Sequence, residues 1–417
     1  MRNSELDYPK IRYVEAFPVE TPQGQLIGLR DPTGIATDMI VLSPDVFFLL
    51  QFFDGRHSQK DLRYKYFQAF GSFIYEEQLA QIVDNLDEHF FLENNHFQQR
   101  LRQMQKEFMN QPVRKASHAG KSYPEDPKEL KQQLENFFTH PQGAGLPNFS
   151  TKPDSPEIGG IVVPHIDLRG GGPCYSHAYR ALAEASEVDC FIILGTGHSG
   201  LRNLYSVLAK DFETPFGVAR HDKDFIQQLK TQCQGDYFSE VLPHKSEHTI
   251  EFQLIFLQYL FQQKQKPFTF VPILCSFSYH FLDRNTFPEA PDLIDDFTNA
   301  LQNTIESFGR RVCLIASVDF SHVGVRYGDR TAPDLNFMTR VKEYDQELIK
   351  AIEQLDAEAF YRTAEKYEDR YRVCGFAPIY TLLRSIKAKK AKLLKYSDTI
   401  VDPYNSRVTF ASIVLFK

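Results

Sequence analysis

Apolar residues in the larger, C-terminal part of the chain occur in short runs separated by stretches with helical periodicity. Four of these runs lie at residues 161–164, 190–194, 268–274 and 312–316, and a fifth, at residues 408–415, predicts a closing strand. Short apolar runs that alternate with helices are typical of parallel strands buried on both faces. The pattern therefore predicts an α/β fold with a largely parallel central sheet covered by helices.

The first hundred residues follow a different pattern, with strand-like segments first and helices after them. Residues 12–42 are interrupted by the turn-forming sequences TPQG and DPTG, which predict a hairpin or short meander. Helices are predicted after Ser43-Pro44, after Ser58, which forms a capping box with Asp61, and after Tyr75. This order predicts a small α+β, winged-helix-like domain.

The boundary between the two parts is predicted in the polar residues 98–111, which we interpret as a linker. The predicted domains are therefore residues 1–110, which include that linker, and residues 112–417. Within the second domain, residues 139–156 are rich in Pro, Gly, Ser and Asn and predict a loop. The basic sequence KAKKAKLLK, at residues 387–395, is interpreted as an exposed helix face.

Charge and composition restrict the classes of partner. The chain has a net charge of -7, and residues 1–110 carry 11 Lys+Arg against 16 Asp+Glu. Because phosphate contacts need the opposite sign, we expect no nucleic-acid partner. No apolar segment is long enough to span a bilayer, and the six cysteines form no CxxC pair. We therefore expect a cytoplasmic protein with reduced thiols and no membrane partner.

Polar side chains follow several of the predicted strands at the point where each strand ends. His165 and His198 each follow one strand, and Asp319 and His322 follow another. Because ligands bind beyond the carboxyl ends of strands in an open α/β sheet, we expect these residues to converge on one edge. Judged singly, each histidine is more often a hydrogen-bonded structural residue, and Asp319 and His322 are also suited to capping a loop.

Cys374 is the fourth part of this predicted site. It precedes a helical run that begins near Phe376, and the positive end of a helix dipole favours the thiolate. The alternative is a small buried hydrophobic residue. Two imidazoles and a thiolate suit iron, copper or zinc better than magnesium or calcium. The glycine run at residues 170–172 is open to two interpretations, an anion cradle at a helix start or a tight turn.

Seven blocks of sequence, in order, resemble the Memo family, which includes the proteins called AmmeMemoRadiSam system protein B. They are RKASHAGKSY, PHIDLRGGGPCYSHAY, ILGTGHSG, EHTIEFQLIFL, FVPIL, VDFSHVG and VCGFAPI, spread over residues 114–379. The resemblance implies a fold like that of class III extradiol dioxygenases. It also implies metal ligands at His165, His198 and Cys374, and pocket residues at Asp319 and His322. His248 and Glu251 match the family's His-x-x-Glu pair, which gives His248 a catalytic or supporting role.

Two functions are consistent with these residues. The first is a metal-dependent redox or oxygenase-like enzyme, in which Fe or Cu is held by His165, His198 and Cys374, and Asp319, His322 or His248 moves protons. The second is a non-catalytic module that binds a peptide or small molecule. The N-terminal domain resembles the PqqD-like winged helices that bind peptides near radical-SAM enzymes, so a radical-SAM protein is a candidate partner. Fold alone does not choose between these functions.

Overall fold

A computed structural model describes residues 4–22, 24–149 and 155–417. The chain divides into two compact units, Met1–Gln111 and Pro112–Lys417. The N-terminal unit contains α1 (Ser4–Asp7), β1 (Glu15–Thr21), β2 (Gly24–Arg30), β3 (Ile40–Leu42), α2 (Pro44–Leu50), α3 (Gln59–Phe70), α4 (Glu76–Glu88) and α5 (Asn95–Asn110).

The C-terminal unit contains eleven strands and eight α-helices among the described residues. In chain order they are β4 (Val113–Arg114), α6 (Pro127–Thr139), β5 (Ile158–Val163), α7 (Leu168–Glu184), β6 (Cys190–Thr196), β7 (Tyr205–Val207), β8 (Asp211–Thr214), β9 (Gly217–His221), α8 (Lys223–Gln232), α9 (His248–Lys264), β10 (Thr269–Cys275), α10 (Ala290–Ser307), β11 (Val312–Ser317), β12 (His322–Val323), α11 (Leu335–Glu353), α12 (Ala357–Lys366), α13 (Phe376–Ser385), β13 (Lys390–Ile400) and the last strand, β14 (Arg407–Phe416). Short 3-10 helices lie at Leu242–Lys245, Tyr279–Leu282 and Val325–Tyr327.

The N-terminal unit is built as its sequence pattern predicts, with an antiparallel sheet of order β1-β2-β3 followed by helices. Pro44 occupies the first turn of α2, where its missing N–H costs no hydrogen bond. At α3 the Ser58 and Asp61 side chains cap each other's backbone N–H groups. Buried apolar side chains from β2, α2, α3 and α4 form one core beneath the sheet. The likeness to winged helices stays a prediction.

The predicted linker is wrong, because residues 98–110 belong to helix α5. Asn94 accepts a hydrogen bond from the backbone N–H of Phe97 and so caps the helix. Phe97 and Phe108 are buried, and Leu101 and Met104 are half-buried between them. These spacings of three to four residues give α5 one apolar face despite its polar composition. The sequence pattern missed this helix because its many polar residues obscure the spacing of its few apolar ones.

The C-terminal unit confirms the predicted α/β class. Its eleven-stranded sheet has the order β12-β14-β5-β11-β6-β10-β9-β8-β4, with β13 paired to β14 and β7 to β10. The four neighbouring strands β5, β11, β6 and β10 are parallel to one another. The predicted closing strand is β14, which joins the sheet antiparallel to β5.

Helices cover both faces of the central strands, and β6 shows why its sequence is apolar throughout. Ile192 and Leu194 face the cluster formed with α8 and α10 to α13, whereas Phe191 packs on Phe261 of α9 on the opposite face. Successive side chains of a strand point to opposite faces, so a strand covered on both sides needs apolar residues at every position. No helix among the described residues is long and apolar enough to cross a membrane.

Two further interpretations of the sequence are wrong. The basic stretch at residues 387–395 was predicted to be a helix face, but most of it lies in strand β13, which pairs with β14. Ala391 is the one buried residue of this strand. The glycine run lies inside α7, so it is neither a tight turn nor an exposed cradle. A Cβ on Gly171 would lie 2.3 Å from Ile166, and one on Gly172 would lie 2.4 Å from the Phe137 ring. These glycines let α7 pack closely against its neighbours.

Candidate metal centre

The candidate site lies at the carboxyl edge of three adjacent parallel strands. His165 stands two residues after β5, His198 two residues after β6, and Asp319 two residues after β11, which lies between β5 and β6. Parallel strands that end at one edge bring their following loops together, although the residues are far apart in sequence. The convergence predicted for these strand ends is therefore present in the fold.

Cys374 joins this edge from the segment that leads into α13. The helix begins at Phe376, as its sequence predicts, and packs on β6, β10 and β11. The Cys374 sulfur lies 3.3 Å from Nε2 of His165. One donor atom each from His165, His198 and Cys374 lie within 4.8 Å of one another, which is close enough to surround one ion.

Hydrogen bonds fix which nitrogen of each imidazole is available as a ligand. Nδ1 of His165 lies 2.9 Å from the carbonyl oxygen of Ser317, and Nδ1 of His198 lies 3.2 Å from the carboxylate of Glu247. Because these oxygens accept, each Nδ1 donates its proton, and Nε2 is the nitrogen that remains to act as a ligand when the ring is neutral. Metal-binding histidines in proteins are oriented in the same way.

Glu247 is a residue that the sequence analysis did not single out. It is the N-cap of α9, and its carboxylate accepts hydrogen bonds from the backbone N–H groups of His198, His248 and Thr249. It also contacts the Nδ1 atoms of His198 and His248. The sequence carried a weak signal, since acidic residues are enriched at the start of helices and Glu247 directly precedes a long apolar helix.

His248 lies in the same cluster as the predicted ligands. Its ring is stacked on that of His198, with centroids 5.1 Å apart and an angle of 13° between the planes, and its centroid is 5.3 Å from His165. The ring of His118 approaches from the other side, at 5.6 Å. His198, Glu247 and His248 also offer donor atoms within 4.8 Å of one another. The rings of both His198 and His248 therefore lie close to that of His165.

Glu251, the second member of the His-x-x-Glu pair, is turned away from the imidazoles. Its fully buried carboxylate forms an ion pair with Arg114 and accepts hydrogen bonds from Tyr123 and Ser117. These contacts tie the segment at residues 114–123 to α9. The structure therefore gives Glu251 a stabilising role, and only His248 of the pair reaches the cluster.

Asp319 borders the cluster with one oxygen satisfied and the other unpaired. Oδ1 accepts hydrogen bonds from the backbone N–H groups of His165 and Ile166, at 3.1 and 3.2 Å. Oδ2 is buried, accepts no hydrogen bond from the described residues, and lies 3.5 Å from Nε2 of His165. Burial raises the pKa of Asp319 to about 7. The carboxyl group is therefore poised to hold or release a proton near neutral pH.

His322 stands further along the same loop, on β12. Its Nδ1 lies 3.0 Å from the carbonyl oxygen of Phe320 and 3.1 Å from that of Arg372, so Nδ1 donates and Nε2 lacks a proton. Its ring meets the edge of Tyr327 at 5.0 Å. Burial lowers the pKa of His322 to about 4, which keeps the ring neutral at pH 7.

The electrostatics of the predicted ligands differ from one another. Burial and the neighbouring imidazoles lower the pKa of His165 well below its ordinary value. Burial also lowers that of His198, but Glu247 and Cys374 outweigh it and raise the pKa. The helix-terminus argument for a Cys374 thiolate is wrong for the metal-free pocket, because burial raises the pKa of this thiol. A bound cation is what would favour the thiolate.

The residues fit a transition metal by the chemistry of their donor atoms. Two imidazole nitrogens and one thiol sulfur form a borderline-soft set that suits Fe, Cu or Zn. The unpaired Oδ2 of Asp319 lies beside them. These features define a class, namely an α/β protein that gathers a His/His/Cys cluster at the carboxyl edge of its parallel sheet.

Comparison with known proteins identifies the family of the chain. The chain belongs to the Memo family, since the Memo-like protein family matches residues 114–414. It is similar to a MEMO1 family protein of Aquifex aeolicus, 31% identical over 411 residues, which is 98% of this chain and 100% of the relative. A MEMO1 family protein of Methanopyrus kandleri is 30% identical over 303 residues, 71% of this chain and 96% of the relative. One from Saccharolobus solfataricus is 31% identical over 286 residues, 67% of this chain and 90% of the relative.

Proposed function

We propose that the C-terminal unit is a metal-dependent redox or oxygenase-like enzyme in which His165, His198 and Cys374 hold Fe or Cu, with Zn as a possible occupant. One observation carries this proposal. Both imidazoles donate at Nδ1, which leaves Nε2 as the ligand atom, and with the Cys374 sulfur the two rings offer three donor atoms within 4.8 Å of one another. Three protein ligands leave coordination positions open for a substrate. Such an ion would supply electron transfer or activation of a bound substrate.

The neighbouring polar side chains would handle protons. Asp319 has a pKa of about 7 and an unpaired Oδ2, so it can take or give a proton at that atom. His322 is neutral, with Nε2 able to accept a proton. His248 is held by Glu247 at its Nδ1 and presents Nε2. We assign the proton-moving role to these three residues.

The second candidate is a non-catalytic module that binds a peptide or small molecule and acts with a radical-SAM partner. A specific feature of the N-terminal unit favours it. A cavity of about 580 Å³ lies beside β1 and α2, and its lining includes Val14, Phe47 and Phe48. In the described residues β1 is paired on one side only, by β2. An apolar groove next to an open strand edge suits an extended peptide.

Metal analysis of anaerobically purified protein tests the first proposal. Wild type should contain stoichiometric Fe or Cu, and His165→Ala and Cys374→Ser should lose it, because each removes a donor atom. His177→Ala and Cys233→Ser are matched controls, since His177 bonds the carbonyl oxygen of Gln142 and Cys233 ends α8. Equal metal content in all five proteins would contradict the ligand assignment.

Two further measurements identify the third ligand and distinguish the enzyme from the binding module. Separate His198→Ala and His248→Ala variants show which of the two stacked rings supplies the third ligand atom. Oxygen-dependent turnover that is lost in Cys374→Ser supports the enzyme. A metal-free pocket in wild type, together with saturable peptide binding, supports the module.

A further inference from the structure

The C-terminal unit buries a carboxylate that touches none of the site residues. Asp345 of α11 is fully buried, and no Arg, Lys or His of the described residues pairs with it. Its oxygens accept hydrogen bonds from three hydroxyl groups, those of Ser321, Thr409 and Tyr396, each at 2.6 Å. Burying a carboxylate without a cation costs free energy, so hydrogen bonds must compensate for the lost water.

The three hydroxyl groups come from different segments, and one of them belongs to the site loop. Ser321 lies between Asp319 and His322, Thr409 lies in β14, and Tyr396 lies in β13. Asp345 therefore ties the loop at residues 319–322 to the sheet hairpin and to α11.

Backbone contacts show that this attachment has one defined geometry. The N–H of Phe320 donates to the carbonyl oxygen of Thr409 at 2.8 Å, and the N–H of Thr409 donates to that of Ser321 at 2.9 Å. Oγ1 of Thr409 accepts from the N–H of Ser321 at 2.8 Å while donating its own proton to Asp345. An acceptor at residue 345 thus orients the hydroxyl group that holds the loop backbone.

The loop transmits this geometry to the cluster. Asp319 holds the backbone N–H groups of His165 and Ile166, and the Cys374 sulfur contacts the carbonyl oxygen of Asp319 at 3.6 Å. A shift of the loop would therefore move Asp319 and disturb the placement of two predicted ligands. Supporting groups of this kind commonly change metal affinity 10–100-fold.

We propose that Asp345 is a positioning residue, which sets the geometry of the His165–Asp319–Cys374 region through Ser321 and Thr409 without touching it. The part that concerns the metal rests on the proposed function. The part that concerns the loop does not, because the hydrogen bonds are present in the protein alone.

Two variants of the full chain test the role of Asp345. In Asp345→Asn the amide oxygen can accept from Thr409 and Tyr396, while the amide nitrogen donates to a rotated Ser321 hydroxyl. Asp345→Leu removes every acceptor while it keeps the number and branching of the side-chain heavy atoms. Asp222→Leu is the control, because Asp222 is also a buried carboxylate but caps α8 and pairs with Arg310. It lies next to β9, two strands from β6 in the sheet.

Amide hydrogen exchange of the metal-free proteins is measured first. Asp345→Leu should exchange faster at residues 165–166 and 318–323, and Asp345→Asn should exchange like wild type. Asp222→Leu should leave both segments unchanged. Equal protection of these segments in Asp345→Leu and wild type would overturn the positioning role, whatever the metal content.

Titration with Co²⁺ then reads the same geometry at the site. A thiolate-to-cobalt absorption band reports ligation by Cys374. Asp345→Leu should bind Co²⁺ at least about tenfold more weakly and with a weaker band, while Asp345→Asn restores both. Unchanged affinity and band in Asp345→Leu would refute the link to the metal ligands. Absence of Co²⁺ binding in wild type would instead refute the proposed function, and the exchange data would still decide the role of Asp345.

Discussion

At the scale of single residues, one carboxylate orients two imidazole rings of the candidate site. Glu247 contacts Nδ1 of both His198 and His248 and also caps α9. Burial raises the pKa of Glu247, but the two histidines outweigh it and bring the pKa well below its ordinary value. The charged form is therefore the one that orients both rings, and it is a second carboxylate, beside Asp319, in this site.

Replacement of Glu247 by Gln should weaken metal binding by about 10–100-fold. An amide offers one acceptor atom, so it cannot hold both Nδ1–H groups and the three backbone N–H groups together. Affinity can be measured by competition with a coloured chelator. Glu240→Gln is a matched control, because Glu240 also accepts backbone N–H groups, those of Arg202 and Asn203, away from the cluster. An affinity equal to that of wild type would show that Glu247 does not organise the site.

Site residues that follow strands were easier to predict from the sequence than site residues that lie in or next to helices. His165, His198 and Asp319 could be grouped because buried strands are recognisable and their ends share one edge. Glu247 and Asp345 could not be grouped with them, because the sequence shows an acidic residue before or within a helix but does not show the partners of its side chain. Burial likewise decided the pKa of Cys374, and burial is a property of the folded chain.

At the scale of elements, helix α7 depends on the absence of side chains at its start. Residues 170–172 lie in its first turns, and a Cβ at Gly172 would collide with the ring of Phe137 in α6. Gly170 has more room, since its nearest neighbour is the Thr399 side chain at 3.0 Å. The helix follows directly after His165, so its packing also bears on the placement of that ligand.

Gly172→Ala should lower the free energy of unfolding by about 1–3 kcal/mol, because α6 and α7 must separate to admit the methyl group. Gly170→Ala should be close to neutral, since the gain in helix propensity of ~1 kcal/mol offsets a small shift of Thr399. Urea-induced unfolding of the metal-free proteins measures both changes. Equal stability of the two variants would contradict the close-packing role of Gly172.

Elements with mixed composition were the ones that sequence patterns misassigned. The sequence pattern predicts a linker at α5 because its apolar positions are sparse, and a helix at β13 because lysine is more frequent in helices than in strands. Pairing with β14 decides the second case, and such long-range pairing leaves little local signal. The strands of the parallel centre, by contrast, were recognisable from their uninterrupted apolar residues.

At the scale of the whole molecule, stability should depend on pH through buried carboxyl groups. Burial raises the pKa of Asp345 to about 6 from its ordinary value of 3.8. As pH rises from about 4 to 6, the unfolded chain releases this proton before the folded chain does, so the free energy of unfolding falls. The decrease in unfolding free energy should approach about 3 kcal/mol, and it should be complete once the pH exceeds the pKa of Asp345 in the folded chain.

Asp345→Asn isolates this contribution, because the amide does not titrate. As pH rises from about 4 to 6, wild type should lose about 3 kcal/mol of unfolding free energy relative to Asp345→Asn. Urea unfolding at a series of pH values, with metal removed, measures it. Parallel stability curves for the two proteins would show that Asp345 titrates alike in the folded and unfolded chains.

Among the described residues, the long strand β13 pairs with β14 alone, so one edge of the C-terminal sheet is open, and lysine side chains lie along it. Lys387, Lys389, Lys390 and Lys392 are exposed there, and Lys395 is half-buried. Were two copies to meet along this margin, rows of ammonium groups would face each other, which opposes stacking into fibrils. That repulsion reaches only about 10 Å at 0.1 M salt and shortens as salt is added. Concentrated salt or lysine acetylation should therefore be the conditions under which the folded chain polymerises most readily.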